Sequence, residues 1–119
     1  MHQVDREYEF EGLKVTCSLY LPDETPRGVI LLGHGLGVDI HDETIVSPAS
    51  YLAGEHNLVV FVPELPLHGA RADAPVSNKI ANEWQEFWAG EGRSGLLREW
   101  QFWLKCVQDE FEPELPFPE

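Results

Sequence analysis

Residues 4 to 11 alternate between two sides, one mainly apolar and one acidic. Val4, Arg6, Tyr8 and Phe10 fall on one side, and Asp5, Glu7, Glu9 and Glu11 on the other. A period of two predicts a half-buried strand. Glu11-Gly12 is a turn signal, and alternation resumes with Leu13, Val15, Cys17, Leu19 and Leu21. The two segments predict an antiparallel hairpin at the edge of a sheet. The row of carboxylates on the first strand reads as a solvated face that discourages edge pairing.

The pattern then changes. After a loop over residues 22–28, Val29-Ile30-Leu31-Leu32 is a continuous apolar run closed by Gly33, as in a strand buried on both faces. A glycine-rich loop, Gly33-His34-Gly35-Leu36-Gly37, follows it. Residues 47–55 read as a helix with Ser47 as N-cap, Pro48 at its first position and Asn57 as the left-handed residue that ends it. Leu58-Val59-Val60-Phe61-Val62 is a second buried strand, terminated by Pro63-Glu64-Leu65-Pro66. Strand, helix and strand in that order predict a parallel βαβ unit with a right-handed crossover.

Beyond a loop that holds His68 and Gly69, Ile80, Trp84, Phe87 and Trp88 recur at helical spacing. After a break at Gly90-Glu91-Gly92, Leu96, Leu97, Trp100, Trp103, Leu104, Val107 and Phe111 do the same. Two amphipathic helices are predicted, their aromatic stripes serving as core or interface. The chain therefore reads as a mixed α/β domain over residues 1–111 with a proline-rich tail over residues 112–119.

Composition narrows the classes of function. The chain has 119 residues, with 8 Lys+Arg against 21 Asp+Glu and a formal net charge of −13. Nucleic acids and anionic membranes need a basic footprint, so neither is an expected partner. No apolar run is long enough to span a bilayer, and the first residues hold no signal-peptide core. Two cysteines, Cys17 and Cys106, are too few for a disulfide scaffold and suit a reducing cytoplasm.

Two local patterns suggest chemistry that their context withholds. Gly90-Glu91-Gly92-Arg93-Ser94-Gly95 matches a dinucleotide fingerprint, but that motif needs a strand directly before the glycines, and here a helical segment precedes them. Asp39, His41, Asp42 and Glu43 form no closed ligand set for a metal. No metal or other cofactor is expected.

A buried strand ending in Gly33-His34-Gly35-Leu36-Gly37, followed one βαβ unit later by Val62-Pro63-Glu64-Leu65-Pro66-Leu67-His68-Gly69-Ala70-Arg71, resembles the α/β-hydrolase superfamily. It is similar to its serine esterase, acylaminopeptidase-like and dienelactone-hydrolase-like members. The resemblance covers residues 5 to 110. It implies the N-terminal half of that fold, with an oxyanion loop at His34, Gly35, Leu36 and Gly37 and the Leu36 backbone N–H as one donor. His34, and likewise His68 with Gly69, are implied to hold loops in place and not to act as bases.

The family's nucleophile stands on a G-x-S-x-G elbow after the fifth strand, followed in the chain by an acid and a histidine. Ser94 in Gly92-Arg93-Ser94-Gly95 lies in helical surroundings, and Cys106 lies within a helix, so neither is a nucleophile. No catalytic residue is assigned. The expectation is a serine-hydrolase fragment that lacks the strands after the fourth and is inactive alone. In the family's order the third strand pairs with the fourth and fifth, so the Val29–Leu32 strand becomes an open edge. That edge would accept a complementary hydrolase fragment or a second copy of the chain. A non-catalytic module that assembles through this edge is the alternative function.

Overall fold

A computed structural model describes residues 1–35, 38–66 and 80–111, with side chains in the last segment from Trp84 onward. The hairpin forms where alternation places it. Strands β1 (His2–Phe10) and β2 (Leu13–Leu21) pair antiparallel, with Val4 opposite Leu19, Arg6 opposite Cys17 and Tyr8 opposite Val15. Glu11 and Gly12 both take positive φ, 49° and 78°, as a tight turn between right-twisted strands requires. Along β1 the residues on the Val4–Phe10 side are half-buried, whereas Asp5, Glu7 and Glu9 are exposed.

Strand β3 (Gly28–Leu31), helix α1 (Glu43–His56) and strand β4 (Leu58–Pro63) form the βαβ unit, and β3 runs parallel to β4. β4 also pairs antiparallel with β2, giving the order β1-β2-β4-β3. β4 is central, and alternate side chains enter two different cores. Val59 and Phe61 join Val15, Cys17 and Leu19 on one face. Val60 and Val62 join Tyr20 on the other. This double burial explains why β4 reads as a continuous apolar run. β3 reads the same way, yet it lies at the sheet's edge among the described residues and its residues are half-buried.

Helix α1 covers the second face through Ile45, Ala49 and Ala53. It begins five residues earlier than the Ser47-Pro48 signal suggests. Asp42 is the N-cap, accepting hydrogen bonds from the Thr44 backbone N–H at 2.9 Å and the Thr44 hydroxyl at 2.7 Å. These donors hold the Asp42 carboxyl below the usual carboxylate range. Pro48 consequently sits inside the helix, where it forgoes one i→i−4 bond. The C-terminal end follows expectation: Asn57 is left-handed, with φ 54° and ψ 42°, and its N–H donates to the Leu52 carbonyl.

Helices α2 (Ile80–Ala89) and α3 (Gly92–Phe111) are joined by a two-residue turn. α3 packs on the first face of the sheet through Trp103, Val107 and Phe111, and Glu99 is buried with them. Glu110 accepts a hydrogen bond from the Tyr8 hydroxyl and forms an ion pair with Arg6, tying the end of α3 to β1. The predicted stripe on α3 is only partly the sheet-facing one: Leu97 and Leu104 are 62% and 50% exposed. Residues 112–119 lie outside the described segments.

Candidate functional site

Parallel β3 and β4 bring their C-terminal ends to the same edge of the sheet, the place where open α/β sheets hold their ligands. Leu32 extends the pairing by donating its N–H to the Phe61 carbonyl at 2.8 Å, and Gly33, His34 and Gly35 then leave the sheet. From β4, Glu64 and Leu65 leave alongside. The Glu64 N–H donates to the Thr16 carbonyl at 3.0 Å, and the Glu64 side chain is buried.

His34 joins the two exits. Its side chain is buried, with Nδ1 2.8 Å from the Gly35 carbonyl oxygen and Nε2 accepting the Leu65 backbone N–H at 3.0 Å. A carbonyl oxygen only accepts, so Nδ1 carries the proton. A backbone N–H only donates, so Nε2 is bare. The geometry requires the neutral Nδ1–H tautomer and commits both ring nitrogens to loop architecture. The Gly35 carbonyl also accepts the Val38 N–H at 3.3 Å. Leu36 and Gly37, expected at the tip of the oxyanion loop, lie outside the described residues, as do His68 and Gly69.

A groove of about 680 Å³ opens beside these exits, lined by Gly33 and Leu65 together with Trp84, Trp88, Leu96 and Trp100. Trp84 and Trp88 stack with centroids 6.5 Å apart and planes 19° from parallel. The Arg93 guanidinium lies 5.2 Å from the Trp88 ring centroid, a cation–π contact that places a positive charge on the rim of an acidic protein. The tryptophan spacing was visible in the sequence as a packing stripe. What brings it to the ends of β3 and β4 is a tertiary contact without a local signal. The Leu65 N–H as partner of His34 is likewise invisible to side-chain motifs, because it belongs to the backbone.

The described serines do not stand at a strand-to-helix elbow. Ser18 lies within β2, where it accepts from the Gln3 side chain at 2.6 Å; Ser47 and Ser50 lie in α1, and Ser94 lies in the first turn of α3. Burial pushes the Cys17 thiol up to about 12, and burial followed by the charge of Asp109 raises Cys106. Neither forms a thiolate readily. The Gly90–Gly95 motif joins two helices, so the strand that a dinucleotide site demands is missing from it. Of the loop acids, Asp42 caps α1, and Asp39 binds the His41 N–H at 2.7 Å and the His41 ring at 3.1 Å. No cluster able to hold a metal ion occurs among the described residues, and no described helix is long and apolar enough to cross a membrane.

The architecture has a solved counterpart. The chain is similar to a cold-adapted esterase from an Arctic intertidal metagenomic library, known as a complex with polyethylene glycol, with a TM-score of 0.71 and 22% identity. The match takes in 91% of this chain and 45% of the esterase chain. The fold is thus the partial counterpart of an esterase fold, and the chain spans under half the length of the protein it matches. No protein-family model and no curated protein matches the sequence.

Proposed function

We propose that these residues form the N-terminal portion of an α/β-hydrolase-fold serine esterase, acting on carboxylic esters or related acyl compounds. The observation that carries this reading is the His34–Leu65 bridge at the C-terminal ends of two parallel strands, in a fold similar to that of the matched esterase at a TM-score of 0.71. The bridge holds the loop after β3 against the exit from β4. In this reading the Leu36 backbone N–H is one oxyanion donor.

In this reading His34 holds the loops and is not the general base, since accepting a proton at Nε2 would expel the Leu65 N–H. On the same reading the serine, its acid and its base are not among these 119 residues, which by themselves do not turn over esters. Two measurements test the proposal. A fluorophosphonate probe leaves the 119-residue protein unlabelled; labelling that maps to Ser94 would overturn the assignment. The DNA beyond the last codon encodes a G-x-S-x-G elbow, then an acid, then a histidine; a continuation without them removes the esterase reading. The position of β3 at the sheet edge among the described residues favours the second reading, a non-catalytic assembly module.

A further inference from the structure

The groove at the exits of β3 and β4 differs in charge from the chain around it. The protein has 21 Asp+Glu against 8 Lys+Arg. Among the described residues, however, no carboxylate lines the groove, and its one charged lining residue is Arg93. Trp84, Trp88 and Trp100 supply its rings, and Gln85 adds a side-chain amide. Trp100 reaches the start of the loop after β3, since a Cβ on Gly33 would stand 3.9 Å from its ring.

Arg93 also differs from the other basic residues near carboxylates. Arg6, Lys14 and Arg98 are paired with Glu110, Glu7 and Glu11. Arg93 forms no ion pair among the described residues and lies 5.2 Å from the Trp88 ring centroid. Stacking on an indole occupies the face of a guanidinium and leaves its in-plane N–H donors for a carboxylate.

We propose that the groove binds a planar aromatic carboxylate, with its ring among the three tryptophans and its carboxylate on Arg93. A volume of about 680 Å³ suits a small molecule, and small-molecule sites combine apolar walls with a few polar groups. Trp84 and Trp88 lie 19° from parallel and offer flat surfaces on which an aryl ring stacks. One ligand thus takes indole surface out of water and gives the guanidinium an anion, in a bidentate geometry that a neutral ligand lacks. The substrate class rests on the esterase reading: there the substrates are aromatic esters that also carry a free carboxylate. The binding itself stands without that reading.

The indole N–H signals of the isotope-labelled 119-residue protein, titrated with 2-naphthoate, test this. Trp103, fully buried against the sheet, is the internal reference. The signals of Trp84, Trp88 and Trp100 are expected to move together, with a Kd of roughly 1 mM or below, while that of Trp103 stays. The uncharged 2-naphthamide binds about tenfold more weakly. Arg93→Gln, at an exposed position, lowers naphthoate to the affinity of the amide and leaves the amide unchanged. Trp88→Leu, at a position 39% exposed, weakens both. Near-molar salt weakens naphthoate alone.

Groove signals that stay still overturn the proposal, which is the result if residues 67–79, the tail or a second copy fills the groove. Equal affinity for naphthoate and naphthamide overturns it too, as does naphthoate binding that survives Arg93→Gln undiminished. The esterase reading is decided separately. Naphthoate binding together with a downstream sequence that lacks the elbow keeps this site and removes the esterase, whereas an intact elbow without binding does the reverse.

Discussion

Leu65 donates its backbone N–H to Nε2 of His34 across a sequence separation of 31 residues. The bond fixes the spacing of the two loops from which the candidate site is built. A bare Nε2 and a protonated Nδ1 follow from its geometry, and long-range proton–nitrogen NMR correlations are expected to show that tautomer. His34→Ala leaves a buried N–H without its acceptor and should destabilise the fold by about 1–3 kcal/mol in urea titrations. A loss well under ~0.5 kcal/mol would mean that water replaces the ring without penalty.

Gly92 opens α3 where a Cβ would run into the Phe87 carbonyl oxygen and ring. The obstacle includes backbone, so it cannot move aside as a flexible side chain could. Gly92→Ala is expected to cost about 1–3 kcal/mol and to separate α2 from α3. Near-UV circular dichroism reads the change, because the stacked pair Trp84 and Trp88 sits on α2. An unchanged spectrum with unchanged stability would show that the α2–α3 turn is not closed this tightly. Gly95→Ala serves as the control, since a Cβ there meets only the Arg98 side chain at 3.7 Å.

The cysteines should behave as core residues. Cys17 is fully buried, with its thiol pushed up to about 12, and Cys106 is half-buried with its thiol also raised. At pH 8 a thiol reagent is expected to modify Cys106 slowly and Cys17 only on unfolding. Fast modification of Cys17 in the folded protein would contradict its packing against Val15, Leu19 and Trp103.

Where local chemistry and tertiary packing agree, the sequence is readable. The β1–β2 register, the Glu11-Gly12 turn, the Asn57 cap and the parallel pair each have a short-range signal that the fold does not override. Two misplacements have physical causes. The Ser47-Pro48 pair imitates a helix start, but Asp42 accepts two hydrogen bonds from Thr44 and sets an earlier first turn, and the helix tolerates Pro48 inside. On α3, apolar residues occupy two faces, so periodicity alone cannot say that the sheet takes Trp103 and leaves Leu97 and Leu104 open. The site is less legible than the fold. A loop-holding role for His34 is an expectation of the family resemblance alone, and the Gly35 carbonyl and Leu65 N–H that its ring meets are backbone groups.

His41 supplies a pH-dependent tie between the loop before α1 and β1. Its Nε2 lies 2.9 Å from an Asp5 carboxylate oxygen, and its Nδ1 3.1 Å from Asp39. The hydrogen bond to Asp5 is the chief cause that raises its pKa, partial burial opposes it, and the charges of Asp5 and Asp39 add to the rise. A raised folded value means that the protonated ring is the form the fold favours. The contribution is complete below the unfolded value of about 6.5 and disappears as pH climbs through the higher folded value. His41 is 51% exposed, so solvent screening limits the effect to roughly 0.2–1 kcal/mol. Urea midpoints of wild type and Asp5→Asn should therefore differ most at pH 5.5–6, converge above pH 8, and converge sooner in high salt. A difference that stays constant from pH 5.5 to 8.5 would assign the role of Asp5 to its bond with Gln3 and leave His41 without a part in stability.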